Sequence, residues 1–167
     1  TTGCLSAEIP QALLAGEQER AHELLDYYYQ VFGPDRFFFE LQGHEIPDLH
    51  RVNKALLEIA PKYAAQFVAT NDVHYVKQDD ARLQDIMLCV QTNALLSDKK
   101  RMKVDGDSYF LRSPDEMRAL FGHIPGAIEN TLLISERCAV TLDTDGYHLP
   151  VFDTPAGYDT PAAYLRH

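Results

Sequence analysis

Asp72 and His74 stand two residues apart, just after the short apolar run Phe67-Val68-Ala69-Thr70. In parallel α/β architectures the functional side chains gather at the carboxyl ends of strands, where the loops converge on a crevice or barrel mouth. In an extended segment, residues i and i+2 point to the same side, so a carboxylate oxygen and an imidazole nitrogen can share one metal ion. Spacing alone favours a plainer reading, in which Asp72 caps the next turn and His74 is a partly buried polar residue. Cys4 follows Gly3, where a tight turn lets the backbone approach closely, and a thiolate is a good ligand for zinc or a comparable ion. Taken alone, it reads as a small buried hydrophobe. Glu40 and His44 lie at the end of another apolar run and in the loop beyond it. They could join a cluster, but an ion pair for Glu40 and an exposed loop position for His44 are the plainer readings.

The dense basic run is Lys99-Lys100-Arg101-Met102-Lys103. In a loop, Lys99, Lys100, Arg101 and Lys103 could neutralise a phosphate backbone, and equally could form a solvated surface. Tyr27-Tyr28-Tyr29 falls on a helix, where consecutive residues face different ways and make no single stacking platform. Cys89 and Cys138 sit at apolar helical positions and read as packing residues, and His22, His50, His123 and His167 receive no role. The chain carries no phosphate-cradling glycine loop, no GxSxG nucleophile elbow and no polymerase carboxylate pattern, so nucleotidyl transfer is not visible in it.

The elements that must position these groups follow from periodicity. Leu5 to Ala15 and Gln18 to Phe32 carry apolar residues at helical spacing, and Gly33-Pro34-Asp35 stops the second run. Arg36 to Gln42 is a short aromatic run expected to form a strand apolar on both faces, and Phe67 to Thr70 a second strand. Pro47 to Tyr63, Asp79 to Val90, Pro114 to Phe121 and Pro125 to Cys138 read as helices. Ser113-Pro114-Asp115-Glu116 supplies an N-cap, a proline at the first helical position and acids in the first turn. Tyr109-Phe110-Leu111 reads as a further strand. Short buried strands alternating with longer helices imply an α/β fold with a mainly parallel sheet or barrel. From Thr141 onward, Asp143, Asp145-Gly146, Pro150, Pro155, Gly157 and Pro161 punctuate a stretch without sustained periodicity, expected to be a linker or exit segment.

The 167 residues are enough for one domain, and 25 acidic against 15 basic side chains give a net charge of −10. That surface is no general footprint for nucleic acid, so any contact with it is local. No run approaches the roughly 20 apolar residues that cross a bilayer, and Thr1 to Ser6 lacks the features of a signal peptide. Three widely spaced cysteines form no disulfide framework, so the expectation is a cytoplasmic protein with no membrane partner. A start without Met, on a glycine turn, is expected of a chain that begins inside a larger protein.

The order of the motifs carries more than any one of them. Thr2-Gly3-Cys4-Leu5-Ser6 with Glu8-Ile9-Pro10 comes first. Arg36 to Gln42 follows with His44 and Ile46-Pro47, and then Ala69-Thr70-Asn71-Asp72-Val73-His74-Tyr75. Leu88 to Thr92, Tyr109 to Pro114, the Asn130 to Cys138 helix, Tyr147-His148-Leu149-Pro150, Phe152, Pro155 and Tyr164-Leu165-Arg166 complete the series. In this order they resemble the PHP (polymerase and histidinol phosphatase) domain of bacterial DNA polymerase III alpha subunits.

The resemblance covers essentially the whole chain. It implies the later βα units of a distorted seven-stranded β/α (PHP, TIM-like) barrel over residues 1–140, and a linker leading into a polymerase domain over residues 141–167. It also implies that Cys4, Asp72 and His74 are late ligands of a multinuclear zinc or manganese cluster whose earlier ligands precede Thr1. The implied activity is 3′–5′ exonuclease-type phosphoester hydrolysis within a DNA-directed DNA polymerase, with the segment alone inactive. The implied partners are the rest of the alpha subunit, other replisome subunits, and DNA through the parent protein. A noncatalytic structural or interaction module of the replisome is the alternative. The Tyr147 to Arg166 exit segment disfavours a free-standing small-molecule phosphatase.

Overall fold

The computed structural model describes residues 1–104, 106–142, 144, 146–147, 150 and 152–166. The chain begins with two helices, α1 (Glu8–Ala15) and α2 (Gln18–Phe32), followed by strand β1 (Phe38–Gln42), helix α3 (Pro47–Tyr63) and strand β2 (Gln66–Thr70). A single 3-10 turn at Gln78–Asp80 leads into α4 (Ala81–Thr92), and α5 (Pro114–Phe121), α6 (Glu129–Arg137) and the short α7 (Pro161–Leu165) follow. Helix boundaries sit where cap chemistry puts them. Gly16 closes α1 in the left-handed conformation, and Pro47 opens α3. Ser113 opens α5 through a capping box: Glu116 N–H donates to Ser113 Oγ at 3.3 Å, and Ser113 N–H donates to Glu116 Oε2 at 2.7 Å. The Ser113 N–H, and the Ser113 hydroxyl that donates to the same oxygen at 2.8 Å, hold the Glu116 carboxyl below its usual range.

Strands β1 and β2 pair in parallel, in a register running from Phe38 opposite Gln66 to Gln42 opposite Thr70. Parallel neighbours need a crossover, and α3 supplies it. Because side chains alternate along a strand, Phe39, Leu41 and Ala69 enter one core with Ile9, Leu25, Val52 and Leu56 from α1, α2 and α3. The opposite face departs from the all-apolar expectation for β1: Glu40 and Gln42 point there and hydrogen-bond with Thr70.

Among the described residues the sheet has two strands, so the seven-stranded barrel is not seen, although the parallel α/β arrangement is. Two sets of contacts border the sheet among the described residues. On the β1 side Thr2 pairs, its N–H donating to Phe38 O at 3.0 Å. On the β2 side the edge is capped instead of extended: Ala69 N–H donates to Ala127 O at 2.8 Å, and Asn130 Nδ2 donates to Phe67 O at 2.8 Å. The expected strand at Tyr109 to Leu111 is one parallel bridge, Tyr75 with Phe110.

The helix expected over Asp79 to Val90 begins at Ala81, and that expected over Pro125 to Cys138 shortens to α6, because Gly126 sits at φ +79° ahead of it. Residues 141–167 hold one unexpected element. Thr160 Oγ1 accepts from Ala163 N–H at 3.1 Å, Pro161 follows, and the resulting α7 stacks Tyr164 on Phe152. Asp143, Asp145, His148, Leu149 and His167, all named in the sequence reading, lie outside the described residues. Among those described, no helix is long and apolar enough to cross a membrane.

Tyr63, near the end of α3, stacks on Tyr29 of α2 and lies 2.9 Å from His22 Nδ1. Burial, and after it the Asp26 carboxylate, push its phenol from 10.0 up to about 12. Between those pH values the unfolded chain has released the proton and the folded chain still holds it, so stability falls as pH rises through that window. Tyr63→Phe is expected to flatten that fall in a series of urea denaturations at alkaline pH. An unchanged slope would refute the assignment.

Candidate metal centre

Parallel pairing delivers the ends of β1 and β2 side by side, and the loops after them run next to each other. The first turn of the chain joins them. Thr2 N–H pairs with Phe38 O, and Glu40 N–H donates to Thr2 Oγ1 at 2.9 Å, so the turn lies alongside β1. Gly3 adopts φ +80° and Cys4 O accepts from Ala7 N–H at 2.9 Å, which swings the chain into α1. The result is a small cavity of about 160 Å³ lined by Cys4, Gln42, His44, Asp72 and Tyr109 among others. Two of the three residues singled out as ligands, 68 positions apart in sequence, thus share one pocket wall.

The third does not join them. Asp72 sits at φ +44°, a left-handed conformation that breaks the extended alternation expected for residues 71–74. His74 instead turns its Nδ1 back to the Asp72 carbonyl at 2.5 Å, its ring meets Tyr109 edge-on, and the side chain is exposed. Among the described residues no group of three His, Cys, Asp or Glu side chains converges on one point. Thiolate, carboxylate and imidazole are donors that suit a zinc-class ion, and of the three residues Cys4 and Asp72 line the same cavity.

The residues that hold the pocket in shape were not read from spacing. Asn71 is buried, and its amide is fully committed. Nδ2 donates to Ser108 O at 2.9 Å and to Phe110 O at 2.7 Å, while Oδ1 accepts from Arg112 Nε at 3.0 Å. This clasp brings residues 108–112 beside the end of β2, and His74 N–H donates to Tyr109 O at 2.8 Å within it.

His44, expected to be exposed, is buried. Its ring stacks on Tyr109 with centroids 4.0 Å apart, and Nδ1 lies 2.8 Å from Ser108 Oγ. Burial lowers its pKa, opposed by the Asp72 carboxylate and assisted by Arg112. Glu40, expected to pair with a cation, accepts from neutral donors, Thr1 Oγ1 and Thr70 Oγ1, each at 2.6 Å. The available signals were a polar residue directly after a strand, for Asn71, and a carboxylate inside an aromatic strand, for Glu40.

The basic run divides. Arg101 is largely enclosed and grips Asp85 of α4 with both guanidinium nitrogens, Nη2 to Oδ2 at 2.7 Å, which pulls the Asp85 carboxyl below its usual range. A guanidinium held that way is not free to meet a phosphate. Lys99, Lys100 and Lys103 are exposed. Cys89 is buried as expected, whereas Cys138 is exposed.

No family model matches the chain. The full chain is 42% identical over 170 residues to the DNA polymerase III subunit alpha of Mycobacterium tuberculosis (strain CDC 1551 / Oshkosh). Over 99% of its length it is 40% identical to the DNA polymerase III subunit alpha of Thermus aquaticus and 36% identical to that of Treponema pallidum (strain Nichols). The chain spans about 14% of the length of each of these relatives.

Gly3 offers a direct test of how the Cys4 turn is built. A Cβ there would lie 2.8 Å from Ala7 Cβ, whereas one at Gly16, also left-handed at φ +77°, would meet nothing within 4 Å. Gly3→Ala is therefore expected to lose more stability in urea denaturation than Gly16→Ala, whose cost is the left-handed backbone alone, about 1–2 kcal/mol. Equal losses would show that the turn is not closely packed against α1.

Proposed function

We propose that this chain is a segment of a bacterial DNA polymerase III alpha subunit, residues 1–140 forming the later part of its PHP domain and residues 141–167 leading into the polymerase domain. The single observation that carries the reading is a match to such subunits over 99–100% of the chain at 36–42% identity. The parallel βα arrangement, with Cys4 and Asp72 on one pocket at the strand ends, supports it. The parent is then a DNA-directed DNA polymerase of the cytoplasm, working on DNA among the other replisome subunits.

Within that parent, Cys4, Asp72 and His74 would be ligands of a zinc or manganese cluster completed by residues outside this chain. Such a cluster lowers the pKa of a bound water and neutralises the oxygens of a phosphodiester, the chemistry of a 3′–5′ exonuclease. The part played by this chain is positional. The Gly3 turn and the left-handed backbone at Asp72 bring Cys4 and Asp72 to one cavity. The Asn71 clasp and the His44–Tyr109 stack close the cavity wall. His74 would hold the ion with Cys4 and Asp72 only with its side chain turned away from the Asp72 carbonyl, which its Nδ1 now meets.

The second reading, a noncatalytic scaffold of the replisome, is favoured by one observation, that His74 stands apart from the pocket shared by Cys4 and Asp72. Asp72→Asn in the intact polypeptide separates the two. On the nuclease reading it lowers bound metal, by elemental analysis, and 3′–5′ nuclease activity while leaving polymerisation intact. Unchanged metal content would overturn the ligand assignment, and metal without phosphodiesterase activity in the wild type would favour the scaffold.

A further inference from the structure

The face of the sheet turned away from the helices carries a carboxylate in mid-strand. Glu40 is half-buried, and its two oxygens accept from Thr1 Oγ1 at 2.6 Å, from Thr70 Oγ1 at 2.6 Å and, more weakly, from Gln42 Nε2 at 3.3 Å. Hydroxyl contacts to a carboxylate at this length are charge-assisted and stronger than neutral ones. Among the described residues no ion pair involves Glu40, so these neutral donors hold the charge.

The donors come from three places that matter to the cavity. Thr1 precedes Cys4 on the first turn, Thr70 precedes Asp72 at the end of β2, and Gln42 lines the cavity itself. One carboxylate on β1 therefore bridges the segment carrying the thiol and the segment carrying the opposing carboxylate. The backbone adds a parallel tie on the thiol side, Glu40 N–H to Thr2 Oγ1 at 2.9 Å, which remains when the side chain is removed.

We propose that Glu40 is a positioning residue of the Cys4–Asp72 pocket, its carboxylate fixing the span between thiol and carboxylate for a divalent, thiol-accepting cation. The inference rests on the metal-site reading above. A ligand pair set by an outer hydrogen-bonded carboxylate loses metal affinity when that carboxylate goes, typically by about 10–100-fold. The same tie read as mere strand glue predicts lost stability with affinity unmoved.

The test is zinc affinity, by competition with a chromogenic chelator, on the intact polypeptide and its variants. Glu40→Ala is expected to weaken zinc binding by about 10–100-fold. Thr70→Val, which removes one of the two short donors, shifts it the same way, and Thr70→Ser, which restores the hydroxyl, returns it to the wild-type value. Leu56→Val, in the core and away from this face, lowers stability and leaves zinc affinity unchanged. Should Glu40→Ala fail to fold, the Thr70→Val and Thr70→Ser pair decides. Zinc uptake abolished by Asp72→Asn but untouched by Glu40→Ala and Thr70→Val would overturn this inference alone. So would an equal loss in Leu56→Val. A wild-type protein that takes up no zinc would overturn the metal reading and this inference with it.

Discussion

The backbone ladder between β1 and β2 levels Gln42 with Thr70, so the two strands end together and their following loops leave from the same edge. Parallel pairing cannot be closed by a hairpin, and the α3 crossover it requires brings Val52 and Leu56 over Phe39 and Leu41. The same alternation that sends Phe39 and Leu41 into that core sends Glu40 and Gln42 to the other face. Core and candidate site are therefore two consequences of one register. A slip of one residue would exchange them, burying a carboxylate among leucines and turning phenylalanines toward the pocket.

What the register leaves open, a few buried polar groups close. Asn71 stands in for a strand: its amide donates to two carbonyls of residues 108–110, carrying that segment alongside β2 without a continuous ladder. Removing the amide would take a partner from two carbonyls and from the Arg112 guanidinium, all on half-buried residues. The His44 ring on Tyr109 and the Glu40 carboxylate between two hydroxyls work the same way, joining segments distant in sequence through directional contacts. Apolar packing, being non-directional, could hold these segments together but could not fix their relative orientation.

Away from the pocket, electrostatics are local. The chain is strongly acidic overall, and its densest basic run loses its arginine to Asp85 of α4 in a bidentate pair. That pair ties two points of the excursion between Tyr75 and Phe110, the partners of one isolated bridge. A planar guanidinium suits such bracing better than an ammonium, and Lys99 and Lys100 ahead of it are exposed.

The sequence by itself determined the elements and their order. Gln18 to Phe32, Pro47 to Tyr63 and Pro114 to Phe121 are helices at the residues where periodicity and caps put them, and the two apolar runs are parallel strands, because these features are written in neighbouring residues. It also determined which types could bind a metal, and the ordered motifs pointed to a family whose members match the chain throughout. Only the tertiary structure decided which of those types meet. Cys4 and Asp72 share a wall because a turn at one end of the chain lies against β1. His74 does not line it, because one left-handed residue breaks the alternation assumed for an extended segment. The burial of His44, the clasp of Asn71 and the tie of Glu40 were illegible for the same reason. Each depends on hydrogen-bond partners 30 to 64 positions away, and such contacts are set by register and packing, which local residue patterns do not encode.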